Sequence, residues 1–159
     1  MENWLITGGQ DGQVLIWDIT TGEVIDNFSA PINSAIREIA LVDDTVITVG
    51  GMSSSVVWSL SGIPTLASSI VQLDDPVLTV AVSPNNRWVA AAGGLQDDFS
   101  VVVSDLSSGT TSTLLGEHDQ QVTAVKFNAD STQLASASAD GVIKLWDIIS
   151  GELVDELTP

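Results

Sequence analysis

The sequence predicts an all-β protein of the propeller type, made of about four blade-like repeats. Three observations carry this expectation. The segment from Gln121 to Leu157 recurs three more times upstream in weaker form, and repetition at such a period fixes architecture ahead of any single residue. Aligned on their closing turns, the copies place Gly22, Gly62, Gly109 and Gly151 at spacings of 40, 47 and 42 residues, the length of a four-stranded unit. Runs such as Val14-Leu15-Ile16-Trp17 and Val101-Val102-Val103 are apolar at consecutive positions, which calls for cover on both sheet faces. An antiparallel meander covered on both faces by copies of itself is the blade of a propeller.

The first copy offers strands at Trp4–Thr7, Gln13–Trp17 and Glu23–Phe28, with no counterpart of the innermost strand found in the others. The second reads Ile36–Leu41, Thr45–Val49, Val56–Leu60 and Thr65–Ile70. The third reads Val77–Val82, Trp88–Ala92, Phe99–Val103 and Thr110–Leu115. The fourth reads Val122–Phe127, Leu134–Ser138, Val142–Trp146 and Glu152–Leu157. Turn residues separate these runs. Asp140-Gly141 between two apolar stretches is a strong hairpin signal, because the tight turn needs positive φ. Helical periodicity is absent. The whole chain, 1–159, reads as one unit with blades at about 1–30, 31–72, 73–116 and 117–159.

Composition narrows the function. The chain is 44% hydrophobic yet carries a formal charge of -17, so it is neither disordered by composition nor a membrane span. Its basic residues are Arg37, Arg87, Lys126 and Lys144 alone. Gripping a phosphate backbone or an anionic bilayer takes clustered cations, so neither nucleic acid nor membrane is an expected partner. Acidic loops keep an apolar β protein in solution, and they suit a basic protein surface as partner. There are no cysteines, and Met1-Glu2-Asn3-Trp4 does not begin a secretory signal, which together point to the cytoplasm.

The repeats resemble the WD-repeat (WD40) β-propeller family along nearly the whole chain, most closely in the last copy. Gly116-Glu117-His118 is similar to the family's Gly-His element, Ala139-Asp140-Gly141 to its b–c turn, and Trp146-Asp147 to its namesake pair. The resemblance implies a structural tetrad of His118, Ser138, Asp140 and Trp146. The other copies depart from it. The first keeps Asp11-Gly12 and Trp17-Asp18 but has Gly9 at the serine position. The second has Met52 at the turn aspartate and Ser59 after Trp58. The third retains Asp98 and Asp105 but has Ser104 for tryptophan.

Propellers of this family close with about seven or eight blades, so the chain amounts to half a ring. An open apolar blade face of roughly 400 Å² would forfeit on the order of 10 kcal/mol at about 25 cal/mol per Å². The expectation is a homodimer of eight blades, with a hetero-oligomeric or longer propeller as the alternative.

No constellation points to catalysis. His118 is the only histidine, and the tetrad accounts for it. The pairs Asp43-Asp44, Asp74-Asp75 and Asp97-Asp98 lack the loop spacing of a calcium site, and the glycines of the loop Gly93–Asp98 precede no helix that would cradle phosphate. No cofactor and no metal are expected. A ligand site in the channel would need converging polar side chains, and Arg37 with Glu38 are too few. The chain therefore reads as a non-enzymatic scaffold that binds proteins through its rim, with Gln10, Asp97, Glu117 and Asp119 as candidate contacts. Trp146→Ala is expected to destabilise by about 3–5 kcal/mol, while Asp97→Ala leaves the fold intact; equal small effects in urea unfolding would contradict this blade register.

Overall fold

The computed structural model describes residues 3–29, 35–42, 45–50, 54–59, 65–72, 76–94, 98–107 and 113–158. Among these the elements are strands alone, grouped in four antiparallel sheets. The first sheet holds β1 (Trp4–Gly8), β2 (Gln13–Asp18) and β3 (Glu23–Ser29). The second holds β4 (Ile36–Val42), β5 (Thr45–Gly50), β6 (Ser54–Ser59) and β7 (Thr65–Gln72). The third holds β8 (Val77–Val82), β9 (Trp88–Gly93), β10 (Ser100–Asp105) and β11 (Thr113–Glu117). The fourth holds β12 (Val122–Phe127), β13 (Gln133–Ser138), β14 (Ile143–Asp147) and β15 (Leu153–Leu157).

Each sheet is a meander whose strands pair in sequence order, because short turns return the chain beside the strand it has just left. The hairpin turns β1–β2, β9–β10 and β13–β14 repeat one design. Asp11, Asp98 and Asp140 each accept through Oδ1 the N–H two residues on, from Gln13, Ser100 and Val142. Gly12 and Gly141 follow the first and last of these aspartates at φ of 79° and 86°, a conformation that penalises any Cβ. The turns after β2, β10 and β14 are capped in the same way. Asp18, Asp105 and Asp147 accept from Thr20, Ser107 and Ile149 backbone N–H groups at 2.7, 2.8 and 2.9 Å.

The first strands β4, β8 and β12 neighbour one another, and each opens with a bulge, at Ile36/Glu38, Val77/Thr79 and Val122/Ala124. This places them innermost, and the blades fan outward from them. Glu38 reaches from β4 to accept the Val80 N–H of β8 at 2.5 Å. Asn85 N–H donates to Ser131 Oγ at 3.1 Å, tying the loop before β9 to the loop before β13. Ile36 N–H donates to Gly9 O at 3.0 Å between the first two blades.

The core lies between blades. On one face of the third blade Val89, Ala91 and Val102 pack with Val77, Val80 and Ala40 toward the second. On its other face Ala90, Ala92, Val101 and Val103 pack with Leu134, Trp146 and Ile148 of the fourth. Consecutive apolar residues on β9 and β10 are thus buried on both faces, as the unbroken Val101–Val103 run predicts. The run Val14–Trp17 differs. Val14 and Ile16 are buried, while Leu15 and Trp17 are half-buried, because the first blade has a neighbour on one face only among the described residues.

Candidate functional site

The last blade carries a buried polar chain. Trp146 on β14 pairs across the hairpin with Leu134, and its indole Nε1–H donates to Ser136 Oγ at 2.9 Å. His118 Nε2 meets the same oxygen at 2.7 Å. The Asp140 carboxylate beside Nδ1 favours the tautomer with the proton on that nitrogen, which leaves Nε2 to accept from the Ser136 hydroxyl. Nδ1 lies 3.4 Å from Asp140 Oδ2, an ion-pair distance that lacks the alignment of a hydrogen bond.

The serine in this chain is therefore Ser136, and the assignment to Ser138 is corrected. Side chains two apart on a strand share a face, so Leu134, Ser136 and Ser138 all point the same way. Only Ser136 is diagonal to Trp146, about 7 Å along the strand from its cross-strand partner, whereas Ser138 is about 13 Å away. Ser138 serves the turn instead, donating to Gln120 O at 2.9 Å and accepting from Asp140 N at 3.2 Å. The signal was available in the hairpin: counting back from the Asp140-Gly141 turn gives the Leu134–Trp146 pairing and hence Ser136.

The same count applies to the other blades. In the first, Trp17 pairs with Leu5, and its Nε1–H donates to Thr7 Oγ1 at 2.9 Å, so Gly9 at the Ser138 position leaves the indole bond intact. In the second, the equivalent hydroxyl is Thr48, fully buried. In the third, Ser104 replaces the tryptophan and Ala91 replaces the hydroxyl, so donor and acceptor are lost together. Met52 lies outside the described residues.

Burial lowers the pKa of His118, against the opposing pull of the Asp140 carboxylate. Burial alone would raise Asp140, but N–H groups of Val142 and Asp119 with the Ser138 side chain outweigh it and hold it low. Asp105 is lowered to about 2, first by its hydrogen bonds from Arg87.

The rim candidates separate. Glu117 and Asp119 are exposed beside His118. The Glu117 carbonyl accepts from Lys144 Nζ at 2.8 Å, and Asp119 N–H donates to Asp140 Oδ2 at 3.1 Å. Gln10 is exposed on the b–c turn of the first blade. Asp97 lies outside the described residues. Among the described residues no His, Cys, Asp and Glu group has metal-binding geometry.

Two apolar faces, expected at the open ends of a half-ring, repeat the junction between third and fourth blades. Toward the third blade, the fourth presents Leu134, Ser136, Trp146 and Ile148. The first blade carries Leu5, Thr7, Trp17 and Ile19 at those positions. Leu134 is 0% exposed and Ile148 7%, whereas Leu5 is 50% and Ile19 59% exposed. On the opposite side, Ala90, Ala92, Val101 and Val103 receive the fourth blade, and the fourth blade's own outer face repeats them as Ala135, Ala137, Ile143 and Leu145.

Two outcomes follow. Ser136→Ala orphans the buried indole N–H and costs about 1–3 kcal/mol, while Ser138→Ala costs about 1 kcal/mol or less; urea midpoints in the reverse order would contradict the chain of bonds. The native fold disfavours charged His118, so the unfolded chain takes up that proton first. Stability is then fully present above the ordinary value of 6.5 and is lost as pH falls below it. His118→Gln removes that slope, while the loss below about pH 4, where carboxylates protonate, persists.

A family profile described as "WD domain, G-beta repeat" matches residues 1–18, 42–105 and 109–147. The chain is 28% identical over 153 residues to "Protein LST8 homolog" of Drosophila melanogaster, covering 91% of this chain and 48% of that protein. It is 28% identical to mouse "Target of rapamycin complex subunit LST8", covering 98% of this chain and 49% of the relative. It is 29% identical to "Autophagy-related protein 16" of Arabidopsis thaliana, covering 96% of this chain and 30% of the relative. The chain thus spans about half the length, or less, of these curated relatives. Repeats, sheet topology and profile together place the chain in the WD-repeat family.

Proposed function

We propose that the chain is a non-enzymatic scaffold that closes with a second copy into an eight-bladed ring and presents its rim to protein partners. One observation carries the closure. The uncovered face of the first blade has the residue types that the fourth blade buries, and the uncovered face of the fourth has the types that receive them. Two such half-rings, head to tail about a two-fold axis, form the same junction twice. The exposed Asp119 and Gln10 then lie on loops, and Glu117 at the end of β11, all held by a rigid frame, where recognition is usually placed; Asp97, outside the described residues, is a further candidate. The net charge of -17 favours partners with basic surfaces in the cytoplasm.

A second reading has its own support. The LST8-class relatives extend over about twice this length, so the remaining blades can come from a different or longer chain. Light scattering at micromolar concentration decides between them. The homodimer predicts twice the chain mass of 16.6 kDa. Leu5→Asp and Ile143→Asp each return a single-chain mass, and mixing the two variants restores the one junction in which both faces are native. A wild-type mass of one chain overturns the homodimer.

A further inference from the structure

The seam that would close the ring differs in charge from the seam inside the chain. Between third and fourth blades lies a cavity of about 310 Å³, lined in part by Arg87, Trp88, Val103, Thr113, Ile148 and Ile149. Arg87 at its edge pairs with Asp105 at 2.9 Å and stacks on Trp88. Thr113, the cross-strand partner of Val103, is uncharged. On the uncovered face of the fourth blade, Leu145 takes the place of Val103, and its cross-strand partner is Asp155. Thr132 takes the place of Arg87, since its carbonyl accepts Ile148 N–H at 3.0 Å as the Arg87 carbonyl accepts Leu106 N–H at 2.8 Å. The closing seam therefore loses a guanidinium and gains a carboxylate. Asp155 is exposed, accepts Glu156 N–H at 2.9 Å and has no ion-pair partner among the described residues.

We infer that ionic strength gates ring closure, with half-rings apart in dilute salt and joined at physiological salt. This gate presupposes the two-copy ring proposed above. The blades that meet at the seam are both acidic. The first has five carboxylates and no lysine or arginine, and the fourth has eight carboxylates against Lys126 and Lys144. Lys144 pairs across strands with Ser136, on the side toward the third blade, and lies 2.8 Å from Glu117 O and 3.9 Å from the Glu156 carboxylate. Lys126 does share the uncovered face, in one row with Ala135, Leu145 and Asp155. Three strand spacings, about 14 Å, separate it from that carboxylate. In a seam like the internal one, Asp155 meets the turn 19–22 of the second copy as Thr113 meets 148–151, and Asp18 and Glu23 flank that turn. Repulsion between two bodies of charge -17 reaches about 30 Å at 0.01 M salt and only about 8 Å at 0.15 M. The apolar burial of Leu5, Ile19 and Ile143 that drives closure is not weakened by that screening.

Sedimentation equilibrium of the full chain at neutral pH reads the dimer dissociation constant directly. It is expected to fall by about ten-fold or more between roughly 10 and 150 mM sodium chloride. Sodium thiocyanate at the same ionic strengths gives the same tightening, because screening follows ionic strength whereas salting-out of apolar surface does not. Asp155→Thr restores the internal-seam residue and tightens the dimer at the lower salt, with its salt dependence reduced. Asp98→Asn removes one charge a full blade away from the seam, keeps the turn acceptor for Ser100 N–H, and changes the constant much less. The gate is overturned if the wild-type constant is unchanged or rises with salt, if thiocyanate abolishes the tightening, or if Asp155→Thr is no tighter than Asp98→Asn. A single-chain mass at every salt concentration overturns the ring and the gate together. A dimer of salt-independent affinity leaves the ring standing and overturns the gate alone.

Discussion

The molecule depends on the need of every blade for an apolar neighbour on each side. A four-stranded meander is too thin to own a core, and burial has to come from the next sheet at about 10 Å. The two sides of a blade are not alike, and that difference gives the stack a direction. One side is large, with Leu134, Trp146 and Ile148; the receiving side is small, with Ala90 and Ala92 beside Val101 and Val103. A bulky face fits a shallow one at native packing density, whereas two bulky faces would leave gaps or strain. Gly116 extends the same fit, since a Cβ there would run into the Trp146 ring. Direction along the stack is therefore set by side-chain volume, and polar contacts such as Glu38 to Val80 N–H fix the registry of neighbours.

Much of the acidity has a structural use. Asp11, Asp98 and Asp140 close one class of turn, and Asp18, Asp105 and Asp147 close another, each taking backbone N–H groups that the loop would otherwise leave unmet. Repeating a blade repeats its carboxylates, so negative charge accumulates with blade number. Arg87 answers one of them, gripping Asp105 through Nε and Nη2 while stacking at 4.6 Å on Trp88. What remains exposed keeps apolar sheets apart from one another in solution.

The strands were legible because turn chemistry punctuates them: Val77–Val82 and Val122–Phe127 are found where they were expected, and most others shift by a residue or two as ladders run into their turns. Trp17 and Trp146 were legible too, since an indole recurring at one strand position implies one packing role. Ser138 was misassigned because a linear motif counts residues along the loop, while the bond runs diagonally across a hairpin to Ser136. Thr7 was passed over for the same reason. Trp17 and Leu15 show a different limit. Their apolar character states that cover is required but not which molecule provides it.

The joint absence of tryptophan and hydroxyl in the third blade has a consequence for how such chains diversify. Ser104 and Ala91 sit two positions off register on adjacent strands, and neither leaves a buried donor without an acceptor. Restoring the indole alone would bury an N–H against the methyl of Ala91, a penalty paid until a second change follows. Inherited variation at these paired sites is thus constrained to move in tandem, and a blade can be transplanted between positions only as a whole hairpin.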